Sequence, residues 1–118
     1  MATALLSGSD DAALGATLTD LLGELHIRLV RETDAVRADL GPVVDVVLLL
    51  VPGATHIAAY LHDLRARVRR GIPVVILLPF REPGDLDHAH RSGAVACCGL
   101  DQPIAWLYAA LAPLVRSV

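Results

Sequence analysis

At 118 residues the chain is long enough for one domain, which buries roughly two-thirds of the surface its unfolded form exposes. With 54% hydrophobic and only 19% charged residues it is too apolar to be disordered. A net charge of -3 argues against a nucleic-acid-binding domain, and the adjacent Cys97 and Cys98 offer neither a loop-closing disulfide nor a metal-ligand spacing.

Thr3–Ser7 is a short apolar run ended by Gly8-Ser9, which predicts a strand and a turn. Asp10 and Asp11 follow, at the start of a helix that Ser9 or Asp10 would cap, where carboxylates face the positive end of the dipole. Leu14, Leu18, Leu21, Leu22 and Leu25 recur at helical spacing, so Asp11–Gly23 is predicted as an amphipathic helix. His26–Arg31 alternates, with Ile27 and Leu29 on one side and Arg28 and Val30 on the other. That is the pattern of a strand with one exposed face near a sheet edge. Thr33–Leu40 reads as a short helix stopped by Gly41-Pro42.

Pro42–Gly53, P-V-V-D-V-V-L-L-L-V-P-G, is apolar apart from Asp45 and its bounding Gly53. It is too short to span a membrane, and its Val-rich composition predicts a strand buried on both faces at the centre of a parallel sheet. Thr55 is placed to cap a helix reaching about Arg70, with Ile57, Leu61, Leu64 and Val68 as its inner stripe and Gly71 at its end. Ile72–Leu78 is a second doubly buried run. A short helix is expected around Leu86–Arg91, then a small-residue strand, Ala94–Cys98. The last helix begins after Pro103, with Ile104, Leu107, Tyr108, Leu111, Leu114 and Val115 on one face.

A strand–helix unit repeated five times, with short connections, predicts a doubly wound α/β domain. The simplest such arrangement is a flavodoxin-like five-stranded parallel sheet in the order 2-1-3-4-5, with five helices. Function gathers at the carboxyl ends of such strands, here Gly8–Asp11, Val51–Thr55, Pro79–Glu82 and Gly99–Gln102.

Over essentially its whole length the chain resembles response-regulator receiver domains. Asp10-Asp11 after the first strand resembles the receiver acidic pair, and Asp45-Val46-Val47-Leu48-Leu49 with Pro52-Gly53 resembles the third strand and its loop. Pro73-Val74-Val75-Ile76-Leu77 resembles the fourth strand, Gly93-Ala94 the residues before the fifth, and Gln102-Pro103 stands where receivers carry Lys-Pro. The resemblance implies a site built from an acid pair for Mg²⁺, an aspartate ending strand three, a hydroxyl ending strand four and that lysine. A hard cation and a lysine together neutralise charge on a transferring phosphoryl group.

The chain departs from this pattern at three points. The aspartate position falls at Leu50 or Val51, with no carboxylate between Asp45 and Asp63, and the hydroxyl position is Leu78. No lysine occurs anywhere in the chain, all ten Lys+Arg residues being arginine. Leu50, Val51, Leu78 and Gln102 thus make a degenerate phosphorylation pocket, with Asp10 and Asp11 as a vestigial acid pair and no metal expected. Aspartyl phosphorylation in the family's manner is excluded, and the resemblance becomes one to an atypical receiver, or pseudo-receiver.

Asp85, Asp87, His88 and His90 lie close together, but His88 and His90 are two apart and diverge on a helix. His56 and His62 read as surface residues, and Cys97-Cys98 as small apolar fillers. Arg65, Arg67, Arg69 and Arg70 suit a helix C-terminus. Trp106 lies off the inner stripe of the last helix, beside Ala109, Ala110 and Pro113, which together suit a helix-on-helix interface. The resemblance implies the same, since receivers commonly pair or meet partners through this helix.

No nucleophile–base pair, phosphate loop or metal triad stands at the strand ends, so the reading is a binding module and not an enzyme, with no cofactor. The expected function is that of a cytoplasmic, phosphorylation-independent signalling module in residues 1–118 that dimerises or docks on a partner. A DNA-binding output domain outside this chain would be the covalent partner, making transcription the expected output; no direct contact with nucleic acid or membrane is expected. The alternative is a small-ligand sensor with an apolar effector pocket at the strand ends, among Leu50, Val51, Leu78, Pro79 and Phe80.

Overall fold

The computed structural model of the chain describes residues 2–8, 12–31, 44–67 and 71–114. Among them are five strands, β1 (Ala2–Ser7), β2 (Ile27–Arg31), β3 (Val46–Leu50), β4 (Val74–Leu78) and β5 (Ala96–Gly99). Four helices alternate with them: α1 (Ala12–Gly23), α2 (Ile57–Arg67), α3 (Asp85–Ser92) and α4 (Ile104–Leu111). The strands form one sheet, β2-β1-β3-β4-β5, with every neighbouring pair parallel, which is the expected order. Five helices are expected from the sequence and four stand among the described residues. The remaining one, expected over Thr33–Leu40, lies outside them.

Side chains alternate across the central strands and so build two cores. Val47, Leu49, Ile76 and Leu78 face one side, against Ile57, Leu61 and Leu64 of α2 and Ala89 of α3. Val46, Leu48, Val75 and Leu77 face the other, against Leu18 and Leu22 of α1 and Leu107 and Leu111 of α4. This double coverage explains why β3 and β4 carry continuous apolar runs. β2 is the sheet edge, as expected, yet its second face is not open: Val30 is buried with the first core while Ile27 joins the second.

Asp45, the lone charge in the central run, sits just before β3 and is exposed. Its Oδ2 accepts the Thr3 N–H at 2.8 Å, and its own N–H donates to the Thr3 carbonyl at 2.9 Å. The carboxylate therefore ties β1 to the start of β3 at the amino end of the sheet, away from the carboxyl ends of the strands.

Thr55 does not cap α2. It lies within a 3₁₀ turn, Ala54–His56, whose preceding residue Gly53 makes no side-chain cap, so the helix proper starts at Ile57. Glu82-Pro83-Gly84-Asp85 is a type II turn, with Gly84 at φ 90° and the Asp85 N–H donating to the Glu82 carbonyl at 3.2 Å. The Asp85 carboxylate returns the favour, accepting the Glu82 N–H at 2.8 Å, and α3 follows. Gly93, at φ 105°, ends that helix by donating to the His90 carbonyl.

A candidate functional site at the carboxyl ends of the strands

Because every strand is parallel, the chain segments after β1, β3, β4 and β5 meet at one edge of the sheet. Gly8 follows β1 at φ +87°, and a Cβ there would fall on the Leu50 carbonyl oxygen. Gly8 thus packs directly on the end of β3, in a backbone conformation that glycine adopts freely. Asp10 and Asp11 lie outside the described residues.

Leu50, Val51 and Leu78 occupy the middle of this edge. Val51 and Leu78 are both 0% exposed, Leu50 is half-buried against the α1–α4 core, and the Val51 N–H donates to the Leu77 carbonyl at 2.9 Å. These three side chains carry no atom that can ligate a cation or hold a phosphoryl group. Of the residues expected to line an effector pocket here, Val51 and Leu78 are buried, while Pro79 is exposed and Phe80 is 75% exposed.

Gln102 closes the turn after β5. Its Oε1 accepts the Gly99 N–H at 2.9 Å, while its own N–H donates to the Gly99 carbonyl at 3.1 Å. Gly99 is needed for the close approach: a Cβ there would meet Asp101 Oδ1 and would lie 2.9 Å from Arg81 Cβ. Arg81 in turn donates its N–H to Asp101 Oδ1 in a long hydrogen bond of 3.4 Å and lays its guanidinium 5.8 Å from the centre of the Trp106 ring. Residues 79–84 and 99–103 are therefore tied together through Arg81. Sequence reading singled out neither Arg81 nor Asp101; their one signal was that both stand in loops after β4 and β5.

Trp106 is 50% exposed on α4, and Ala109 and Pro113 are exposed with it. Ala110 departs from expectation, being half-buried against the second core, because it packs beside Leu107 and Leu111 on the inner side of the helix. Ile104, expected inside, is 37% exposed at the first turn. Tyr108 is anchored inward, its hydroxyl donating to the Leu21 carbonyl at 2.9 Å and approaching Glu24 at 3.3 Å.

Cys97 and Cys98 face opposite cores and are both buried. Burial pushes the Cys97 thiol up to about 11, with the Arg81 charge opposing, and it raises Cys98 in the same way. Both are protonated at neutral pH, so the nucleophilic thiolate form is suppressed. Of the acid–histidine group, Asp85 serves the turn and the His90 ring nitrogen is hydrogen-bonded to the Val95 carbonyl at 3.0 Å. Among the described residues no three His, Cys, Asp or Glu side chains converge as metal ligands. His56 and His62 are exposed, as expected. Arg65 donates to the Gly93 carbonyl at 3.1 Å, a cation at the end of α3; Arg69 and Arg70 lie outside the described residues.

This sheet order, with helices on both faces, is the fold of receiver domains. The N-terminal receiver domain of Klebsiella pneumoniae RstA, in its BeF3-activated form, superposes with a TM-score of 0.69 at 22% identity over 99% of this chain and 100% of that one. A response regulator from Thermotoga maritima gives 0.74 at 12% identity, covering 99% of both chains. A putative pilus assembly-related protein from Burkholderia pseudomallei gives 0.66 at 20% identity, covering 98% of this chain and 93% of the other. At such identities the likeness establishes the fold alone. No protein-family model and no curated protein sequence matches the chain. No helix among the described residues is long and apolar enough to cross a membrane.

Proposed function

We propose that the chain is a cytoplasmic signalling module, receiver-like in fold and independent of phosphorylation, that pairs with a second copy of itself through α4 to control an output function. The observation that carries this reading is the exposed Trp106 clasped by Arg81. Tryptophan and arginine are the side chains most often found at energetic centres of interfaces, and Ala109 and Pro113 beside Trp106 allow close approach. The Arg81 backbone N–H bonds to Asp101 Oδ1, which brings one arginine and one aspartate to the rim of this patch. A two-fold axis there would set each copy's arginine near the other's aspartate, the self-complementarity that an isologous dimer requires.

With Leu50, Val51 and Leu78 at the strand ends, the reading has no use for a phosphoryl switch. The module works as a binding surface and not as a catalyst. Transcriptional regulation, through a DNA-binding domain outside this chain, is the output that the likeness to response regulators favours. The test is solution mass by light scattering over a concentration series, with Trp106→Glu alongside. A dimer that the substitution dissociates while the melting temperature holds supports the proposal; a monomer at every concentration overturns it.

A further inference from the structure

A cleft of about 230 Å³ opens between α1 and α4, on the face of the sheet that Leu77 and Cys98 share with them. Leu14, Leu18, Leu77 and Leu107 form its walls, and Leu100 and Ile104 stand at its mouth, 40% and 37% exposed. Among the described residues no charged side chain lines it. Few polar side chains reach it, and each has a bond within the fold. The Thr17 hydroxyl donates to the Ala13 carbonyl at 3.0 Å, the Cys98 thiol points to the Trp106 carbonyl at 3.9 Å, and Gln102 Oε1 accepts from Gly99.

We infer that this cleft is a binding site for a small, uncharged, apolar molecule of monocyclic or bicyclic aromatic size. The volume sets the size class, because an apolar cavity of about 150 Å³ is already enough to hold benzene. The lining sets the chemistry: it is mostly aliphatic and offers no charged group among the described residues, so a charged ligand would lose its water with no ion pair in return. A second copy of the chain is the poorer occupant: the space suits one ring, not the face of a helix, which presents several side chains at once. The site stands apart from the pairing proposed above, since Trp106 does not line it.

Toluene and indole are the probes, titrated into the 118-residue chain while the leucine and isoleucine methyl signals are followed by NMR. Saturable shifts confined to Leu14, Leu18, Leu77, Leu100, Ile104 and Leu107, with a rise in melting temperature, are expected. Leu14→Trp fills the cleft from its wall, and Thr17→Trp fills it from an exposed position that leaves folding intact. Each should weaken binding by about tenfold or more. Repeating the titration on Trp106→Glu reads the cleft whether or not the chain pairs. Absence of a saturable shift with both probes overturns the inference, as do shifts unchanged by Thr17→Trp. So does a solution dimer that Thr17→Trp dissociates, which would assign the cleft to a second copy.

Discussion

The Arg81 guanidinium lies 5.8 Å from the centre of the Trp106 ring, joining the loop after β4 to the last helix across the edge of the sheet. The same residue's backbone reaches Asp101, so one arginine links three points of the functional edge. The contact ties the exposed tryptophan to the loop after β4.

A cation–π contact at an exposed site contributes about 0.5–1 kcal/mol. Arg81→Ala and Trp106→Ala, taken singly and together through urea unfolding, should show a coupling of about that size. Additive losses would mean that the two side chains do not interact in solution.

Two glycines at this edge differ in what surrounds them. A Cβ at Gly8 meets the Leu50 backbone and demands a positive φ, whereas at Gly99 the nearest obstacle is the Asp101 side chain. Backbone cannot move aside as a side chain can. Gly8→Ala should therefore cost more than Gly99→Ala, about 2–3 kcal/mol against about 1–2. The urea midpoints of the two variants give the comparison, and the reverse order would contradict it.

The sheet order was legible because β3 and β4 are doubly buried and so read as unbroken aliphatic runs, while β2 alternates and reads as an edge. The faces of α4 were harder. Ile104 is 37% exposed at the mouth of the α1–α4 cleft and Ala110 is half-buried, against the environments that helical periodicity assigns them. The Arg81–Asp101–Trp106 link was not legible, because it joins loop residues whose meeting depends on how two parallel strands end side by side. The α1–α4 cleft is invisible for a related reason: every residue lining its walls reads simply as core.

Asp45 explains the one charge in the central run and yields a local prediction. Asp45→Ala removes the acceptor of the Thr3 N–H at the first pairing of β1 with β3. The loss should be about 1 kcal/mol, with faster hydrogen exchange at the Thr3 amide and little change at the Leu77 carbonyl's partner, Val51.

The buried cysteines predict an alkaline limit. In the fold Cys97 holds its proton to about 11 against an ordinary 9.0, so above 9.0 the unfolded chain binds fewer protons than the folded one. Stability should be level below about pH 9 and fall as pH rises from there toward 11. Cys98 and Tyr108 are shifted in the same direction, Tyr108 through burial and the neighbouring Glu24 carboxylate, and they add to the decline. Urea unfolding of Cys97→Ala against the parent chain, followed from pH 8 upward, should show a shallower fall. An identical profile would remove Cys97 from the account.

Phosphorylation independence is the most direct claim to test by chemistry. A receiver accepts a phosphoryl group on a carboxylate beside a bound Mg²⁺, with a lysine to neutralise the charge that develops. At this edge Val51 and Leu78 are fully buried aliphatic side chains, Gln102 is committed to Gly99, and no lysine exists in the chain. Incubation with acetyl phosphate and Mg²⁺ should therefore leave the intact mass unchanged, and beryllofluoride should leave the melting temperature where it was. Restoring single groups should not rescue the reaction, and Val51→Asp should chiefly destabilise, because it buries an unpaired carboxylate where a valine packs. A phosphoryl adduct on the parent chain, mapped to any aspartate, would show that the acidic residues after β1 or elsewhere supply what β3 lacks, and would return the module to a phosphorylation-driven switch.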